Sequence, residues 1–333
     1  MSVQRVARIC GEHDEARGLR LAVLDEIRAR APFDAYSWLL TDPETEVGCA
    51  PLADVPCLPE LPRLIRLKYL TAVNRWTGLD GPVAVLEGRR EQSLVWRELL
   101  AGYGVDDVAS VVFRDRFGCW AFLDLWRIGG APFSENESRF LAGIAPPVTE
   151  AIRRCQARTF DEVLDSPERA GPVVLMLSPE LDVRAQTPET DRYLRGLVPP
   201  DDERRPVPAS AYNVAAQLLA VEAGVDDHPP FARVHLPGGA WLTLRAARIG
   251  GHDIAVTIET SSPAERTGVF GRALGLTTRE AELLSLLVGG SDTRHIAGKM
   301  FLSEHTVQDH LKAIFTKSGT RNRRTLLARA TGR

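Results

Sequence analysis

Helix-start signals recur at short intervals near the C-terminal end of the sequence, and they constrain the fold more than any other feature. Thr277-Thr278-Arg279-Glu280 has the spacing of a capping box, in which the threonine hydroxyl and the glutamate satisfy unpaired amide groups at a helix start. An apolar stripe follows at helical spacing, formed by Leu283, Leu284, Leu287 and Val288. Gly289-Gly290 then ends the predicted helix.

Two more helices are predicted directly after this one. Ser291 or Asp292 can cap a second short helix, and Ser303 can cap a third after only a few intervening residues. The apolar residues of the second helix are Ile296, Ala297 and Met300. In the third helix, apolar residues recur at i, i+4, i+7 and i+8, at Val307, Leu311, Ile314 and Phe315. This is helix-turn-helix spacing.

The third helix carries a polar face opposite its apolar one. A recognition helix presents such side chains to base edges in the major groove, while basic residues at its flanks hold phosphates. The predicted base-facing residues are Ser303, Glu304, His305, Thr306, Gln308, Asp309 and Lys312. The predicted phosphate contacts are Lys299, Lys317, Arg321 and Arg323.

These residues closely resemble the LuxR-type helix-turn-helix, and the resemblance covers about sixty residues without a gap. The matching segments are 276–280, 296–297, 303–312, 314–317 and 321–326. The resemblance implies that the third helix enters the groove of double-stranded DNA and that a fourth helix, here 323–330, supports a homodimer. RNA polymerase is a further candidate partner. Many members carry a basic residue after the Thr-Val pair, whereas this chain has Gln308 and Asp309, so the base preference is not carried over.

The charge distribution agrees with this prediction. Residues 270–333 contain eleven Lys and Arg against five Asp and Glu, a net +6. The whole chain carries −3, which leaves −9 for the remainder. A basic end joined to an acidic body is the electrostatic outline of a nucleic-acid-binding domain attached to a region with another role.

The first 160 residues predict an α/β (α+β) domain. A helix is predicted around residues 16–27, then a strand at 33–40, then an irregular loop at 48–62 because of its four prolines. A hairpin is predicted at 108–126, turning at Arg116-Phe117-Gly118. A helix over 133–154 follows, capped by Ser134 and kinked or interrupted by Pro146-Pro147. This order of elements resembles a GAF sensor domain.

A second domain is predicted over residues 171–260, after a polar linker at 161–170. Its pattern gives strands at 173–177 and 182–186, helices at 188–197 and 209–221, and strands at 231–236, 241–249 and 254–260. Two strands, helices and three strands resemble a shortened PAS fold. Residues 259–271 are rich in small, turn and polar residues, which predicts an interdomain linker before a DNA-binding domain at 268–333.

Composition narrows the function classes. The sequence has no apolar run of about 18 residues or more, so no membrane span is predicted. Its five widely spaced cysteines indicate a reducing cytoplasm. Neither Cys49 with Cys57 nor Cys10 with His13 supplies four convergent zinc ligands, so no metal or cofactor is predicted. A small-molecule effector pocket is predicted in the first domain, with core packing as the alternative for its tryptophans Trp38, Trp76 and Trp120.

The resulting prediction is a multidomain, dimeric, one-component transcription regulator. GAF-like and PAS-like sensor domains precede an all-α, four-helix LuxR-type domain. Phosphate-loop, nucleophile-elbow and zinc-protease motifs are missing from the sequence, so the chain is not predicted to be an enzyme. Two alternatives stay open at this point. One is an enzyme that modifies a small molecule, and the other is a protein-interaction module with a vestigial helix-turn-helix.

Overall fold

A computed structural model describes residues 2–161, 173–197, 209–236 and 239–332. The first group of elements is α1 (Ser2–Glu12), α2 (Ala16–Arg28), β1 (Ala35–Thr41), β2 (Gly48–Asp54), α3 (Leu61–Leu70), β3 (Val83–Val85), α4 (Leu94–Glu98), β4 (Val105–Asp115), β5 (Gly118–Ile128) and α5 (Glu135–Arg158). The second is β6 (Val173–Leu177), β7 (Val183–Gln186), α6 (Thr190–Leu197), α7 (Ala209–Glu222), β8 (Phe231–His235), β9 (Trp241–Ile249) and β10 (Asp253–Thr260). The third is α8 (Pro263–Ala273), α9 (Thr278–Val288), α10 (Thr293–Met300), α11 (Glu304–Ser318) and α12 (Arg323–Thr331).

The first sheet is antiparallel, with the strand order β2-β1-β5-β4-β3. The predicted hairpin is confirmed, because β4 and β5 pair along most of their length and turn at Arg116-Phe117. Helix α5 packs on one face of this hairpin, together with α1 and α2. Helix α3 belongs to the opposite side of the sheet, which also receives α7 from the second group.

The prediction of an irregular loop at 48–62 is wrong. Residues 48–54 form β2, which lies at the edge of the sheet. Ala50 and Pro51 stand opposite the single residue Leu39, and this bulge absorbs the proline, which has no amide hydrogen for the ladder. Pro62 lies in the first turn of α3, where a missing amide hydrogen leaves no bond unmade.

The long helix α5 begins as predicted but is not interrupted. Ser134 and Glu137 form its capping box, and the helix continues through Pro146 and Pro147. Its buried residues are Leu141, Ile144, Ala145, Val148, Thr149, Ala151, Ile152 and Cys155. This packing holds the helix together across the prolines, so the predicted interruption is wrong. Helix α1, which the sequence patterns did not reveal, packs against α5.

The second sheet repeats the strand order of the first, as β7-β6-β10-β9-β8. The predicted order of two strands, helices and three strands is confirmed. Helix α7 is buried around most of its circumference, because it packs against β9 and β10 and also against α3 and β2 of the first sheet. Of the predicted linker at 161–170, residues 162–170 lie outside the described part of the chain.

Buried polar contacts join the two sheets. The guanidinium of Arg233 on β8 donates to both carboxylate oxygens of Asp42, each at 2.7 Å, and both side chains are almost fully buried. Glu44 accepts from the same guanidinium at 2.8 Å. The hydroxyl of Thr45 donates to the carbonyl of Phe231 at 2.6 Å. The two sheet-containing regions therefore pack against each other in this structure.

The predicted linker at 259–271 is also wrong, because residues 263–273 form α8. Ser262 and Glu265 make a capping box, and Pro263 occupies the first turn. The domain boundary proposed at residue 268 falls inside this helix. Helix α8 packs against α5, α9 and α12, and Phe270 meets Phe160 edge-to-face at 5.2 Å. The fold class is confirmed: two α+β regions precede a helical C-terminal region.

Candidate nucleic-acid interface and interior cavity

Helices α9 to α12 begin where the sequence predicts, and α9 ends before Gly289-Gly290 as predicted. Thr277 and Glu280 form the capping box of α9, and Asp292, of the two candidates, caps α10 by accepting from the amide of His295. Ser303 caps α11 by accepting from the amide of Thr306 at 3.1 Å. The apolar side chains of α11 that close the core are Val307, Leu311 and Ile314. This packing fixes which face of α11 is turned to solvent.

The polar face of α11 is exposed along its length. The side chains of His305 and Lys312 are 85% and 72% exposed, and Glu304 and Gln308 are exposed as well. Ser303 and Thr306 lie at the start of the helix and share a hydroxyl contact at 2.8 Å. The structure therefore brings the predicted base-facing residues together on one solvent-facing surface, which we call the α11 face.

Asp309 lies in the middle of the α11 face, where the ammonium of Lys312 compensates its charge and the imidazole of His305 lies nearby. The ammonium of Lys312 donates to Asp309 at 3.1 Å, and His305 Nε2 lies 3.6 Å from the other carboxylate oxygen. The Lys312 hydrogen bond lowers the pKa of Asp309, so the carboxylate is ionised at neutral pH. An acceptor in this position suits the amino group of cytosine, and its local pairing limits its repulsion of phosphates.

Two of the four predicted phosphate contacts are engaged inside the domain. The Lys317 ammonium donates to Glu280 at 2.6 Å and to the carbonyl of Gly275 at 3.1 Å. The Arg323 guanidinium donates to the carbonyl of Ser291 and ties α12 to the turn before α10. Lys317 thus also forms an internal ion pair, and Arg323 is likewise held in place by an internal bond, while both stay predicted phosphate contacts. Lys299 and Arg321 are exposed and stay predicted phosphate contacts.

The turn between α10 and α11 contains a residue that sequence reasoning missed. Phe301 is 94% exposed and has a φ of 56°, in the left-handed region that a phenylalanine rarely adopts. It lies two residues before the cap of α11. A large apolar side chain held in solvent beside a recognition helix can contact a thymine methyl group. The signal was its position in the short turn, where neither apolar stripe requires it.

A cavity of about 340 Å³ lies between α3, the first sheet and α7. Of the three tryptophans predicted to line a pocket, Trp76 lines this cavity and Trp38 and Trp120 do not. Trp38 stacks on Phe113 in the core between the first sheet and helices α1, α2 and α5. Trp120 is the extra residue of a β-bulge between β4 and β5, which turns it to the same core. Trp126 also lines the cavity.

One wall of the cavity contains a buried polar network centred on Asp124. Its carboxylate accepts from Lys68 Nζ at 2.8 Å, from Trp76 Nε1 at 2.8 Å and from the hydroxyl of Ser110 at 2.6 Å. The ammonium of Lys68 also lies 4.4 Å from the centre of the Trp76 ring. The network positions Trp76 against the cavity and leaves the ion pair with no net charge.

All five cysteines are unpaired and buried. Burial raises the pKa of Cys10, Cys57 and Cys155 to about 11 and that of Cys49 to about 12. Their thiols are therefore protonated at neutral pH and serve as small apolar packing groups. In the described part of the chain, no helix combines the length and the apolar character that crossing a membrane requires.

The sequence profile of the bacterial regulatory proteins of the luxR family matches residues 274–330. The match covers α9 to α12 and the α11 face. The chain carries a LuxR-type helix-turn-helix domain. The predicted resemblance is confirmed for these residues, and the LuxR-type domain is the part of the chain to which the family assignment applies.

Curated relatives match short parts of the chain. A probable HTH-type transcriptional regulator, GfsR of Streptomyces halstedii, is 36% identical over 96 residues, which are 29% of this chain and 37% of the relative. The spore germination protein GerE of Bacillus subtilis is 42% identical over 48 residues, 14% of this chain and 65% of the relative. The chain thus spans less than two thirds of either relative.

Solved structures align only loosely. The VqmA dimer of Vibrio cholerae, which is described as a LuxR-type receptor, aligns with 49% of this chain and 82% of its own at 18% identity and a TM-score of 0.19. The bacteriophytochrome RpBphP3 of R. palustris aligns with 78% of this chain and 61% of its own at 13% identity and a TM-score of 0.31. At these TM-scores the alignments define no common architecture.

Proposed function

We propose that the protein is a sequence-specific DNA-binding transcription regulator that works in the cytoplasm. The observation that carries the proposal is the α11 face, a row of exposed hydrogen-bonding side chains on a capped helix in a LuxR-type domain. Such a helix reads base edges in the major groove, while Lys299 and Arg321 hold the backbone on either side. Gln308 has the geometry to bond adenine, and Asp309 to accept from cytosine.

A homodimer is part of the proposal, with α12 at its interface. Leu326 and Ala330 are buried against the rest of the domain, whereas Leu327 and Ala328 lie in a shallow depression on the outer side. A second copy packed there would place two α11 faces on one side of the DNA. Two half-sites one helical turn apart would then be read together. Analytical ultracentrifugation of Leu327→Glu against the unaltered protein tests this arrangement.

The N-terminal regions are proposed to control the LuxR-type domain through contacts around α8. Arg272 donates to the carbonyl of Phe117 at 2.9 Å, at the turn of the β4–β5 hairpin. Arg153 of α5 donates to the carbonyl of Ala273 at 3.3 Å. Strands and helix of the first region therefore meet the helix that leads into the DNA-binding domain. A signal that favours one arrangement of these contacts would shift DNA affinity, and DNA would shift signal affinity by the same factor.

Selection of bound fragments from random double-stranded DNA by the full-length protein tests the proposed function. A shared sequence with two related half-sites is expected, and its affinity should fall steeply with added salt because phosphate contacts release counterions. Retention of no DNA, or of DNA without a shared sequence, would instead support an interaction module with a vestigial helix-turn-helix.

A further inference from the structure

We propose that the cavity beneath α3 binds an uncharged, largely apolar small molecule carrying a carboxamide-like group, and that Asn213 of the second sheet region completes this site. The inference deepens the proposed function, because it names the chemistry of the signal and the residues that receive it. Most of the lining is aliphatic, including Leu52, Leu64, Ile65 and Val108. Its volume of about 340 Å³ falls within the range of small-molecule sites.

Asn213 is the feature that points to a ligand. It lies on α7, lines the cavity and is fully buried, yet among the described residues neither its amide nitrogen nor its carbonyl oxygen has a hydrogen-bond partner. Burial of an amide group without a hydrogen-bond partner is unfavourable, so such a residue needs an explanation. A ligand with one donor and one acceptor side by side, as in a carboxamide, satisfies both atoms of Asn213.

The indole of Trp126 supplies a second, independent requirement. Its ring lines the cavity with 2% of the residue exposed, and its Nε1 hydrogen has no acceptor in the part of the chain that the structure describes. The indole nitrogen of Trp76, by contrast, donates to Asp124. A carbonyl, ether or hydroxyl oxygen on the ligand would accept from Trp126. The two unpartnered side chains belong to β5 and α7, so a ligand that meets both touches both sheet regions.

The charges of the cavity favour an uncharged ligand. Of the described lining residues, the interior ones include one cation and one anion, Lys68 and Asp124, and these two already form a 2.8 Å ion pair. The remaining charged lining residue, Arg17, is solvent-exposed. A ligand carboxylate would lose its hydration without gaining a free countercharge inside. The site therefore selects a neutral polar group over a charged one.

Three probes with one carbon skeleton test the proposal on the full-length protein: naphthalene-2-carboxamide, naphthalene-2-carboxylate and 2-methylnaphthalene. Each is titrated against the fluorescence of bound N-phenyl-1-naphthylamine, which is itself uncharged. The carboxamide should displace this dye at concentrations at least about tenfold below those of the carboxylate. Asn213→Leu should weaken the carboxamide by about tenfold and leave 2-methylnaphthalene unchanged. Asn136→Leu, on the exposed side of α5, is the matched control and should change neither probe.

The outcomes separate cleanly. Failure of the carboxamide to displace the dye, or an unchanged carboxamide affinity in folded Asn213→Leu, overturns the proposal, as does an equal loss in the Asn136→Leu control. If Asn213→Leu does not fold, Trp126→Phe replaces it, since it removes one donor and keeps an aromatic ring; a several-fold weaker carboxamide supports the site and an unchanged one overturns it. No DNA is present, so failure of the DNA selection is a separate result.

Discussion

Charged side chains have opposite roles in the two sheet-containing regions, which we call the body, and in the LuxR-type domain. In the body, Asp42, Arg233, Lys68 and Asp124 are nearly fully buried and each meets an opposite charge. On the α11 face, Gln308, Asp309 and Lys312 are exposed. Among the described residues, Asp309 and Lys312 pair only with side chains of their own helix. A buried pair fixes how elements pack, whereas an exposed row is available to a partner.

The difference predicts which property each substitution changes. Removal of one partner from a buried pair leaves an uncompensated charge and lowers stability. Removal of an exposed side chain leaves the folding free energy nearly unchanged and alters binding instead. The variants below test this division, from the largest expected effect to the smallest.

Asp42→Ala should have the largest effect. It removes the buried carboxylate that pairs with Arg233, which leaves only the half-exposed Glu44 beside that guanidinium, and it also removes the acceptor for the amides of Glu44 and Thr45. We expect the free energy of unfolding, measured by denaturant titration, to fall by about 3–5 kcal/mol. Glu44→Ala is the control, because Glu44 meets the same guanidinium from a half-exposed position, and it should lose about 1 kcal/mol or less. Equal losses from the two variants would contradict the comparison.

Lys317→Ala tests a predicted phosphate contact that also forms an ion pair with Glu280. Loss of its bond to Glu280, whose side chain is 6% exposed, should lower the free energy of unfolding by about 1.5–3 kcal/mol. Lys299→Ala is the matched variant on an exposed lysine. It should leave unfolding unchanged, weaken binding to all DNA sequences and reduce the salt slope by about one. Unchanged stability with weaker DNA binding in Lys317→Ala would favour Lys317 as a phosphate contact.

Gln308→Ala should change specificity while leaving stability alone. Its side chain is exposed on the α11 face, where a bidentate contact to adenine discriminates against other bases. Discrimination at one base pair of the selected site should fall by about 1–3 kcal/mol, measured by competition between single-base variants of that site. A uniform loss over all base pairs would show that Gln308 only helps to hold the backbone.

His228 should give the smallest effect, one that depends on pH. The hydrogen bond to Asp226 raises the pKa of His228 above its ordinary value of 6.5. Because the folded pKa lies above the unfolded one, the stabilisation is complete below pH 6.5 and is lost as the pH rises through the raised pKa. His228→Gln should flatten the decline of the melting temperature above that pH. Parallel declines in the two proteins would show that another group is responsible.

The LuxR-type domain could be predicted almost completely because its signals are local. Each cap bonds an amide three residues away, as Ser303 does with Thr306, and apolar spacing within one helix sets which face is exposed. The start of α8 carries the same local signal, because Ser262 and Glu265 form a capping box. Its small and polar composition concealed this signal.

The remaining features of the structure depend on contacts that sequence spacing does not report. Pro51 argues against a strand because it lacks an amide hydrogen, but the edge position and the bulge of β2 accommodate it. A bulge also turned Trp120 to the other face of the sheet, which removed it from the cavity. Lys317 meets Glu280 across 37 positions of sequence, and Asn213 reaches the cavity from the second sheet region. Such distances are set by tertiary packing alone.

The salt dependence of DNA binding tests the central claim most directly. The full-length protein is titrated with its selected DNA at several salt concentrations, beside Lys299→Ala. The account predicts that the logarithm of the affinity falls linearly with the logarithm of salt concentration, with a shallower slope for the variant, because exposed cations release counterions from phosphates. An affinity that does not change with salt, or no binding of DNA by the folded protein, would contradict it.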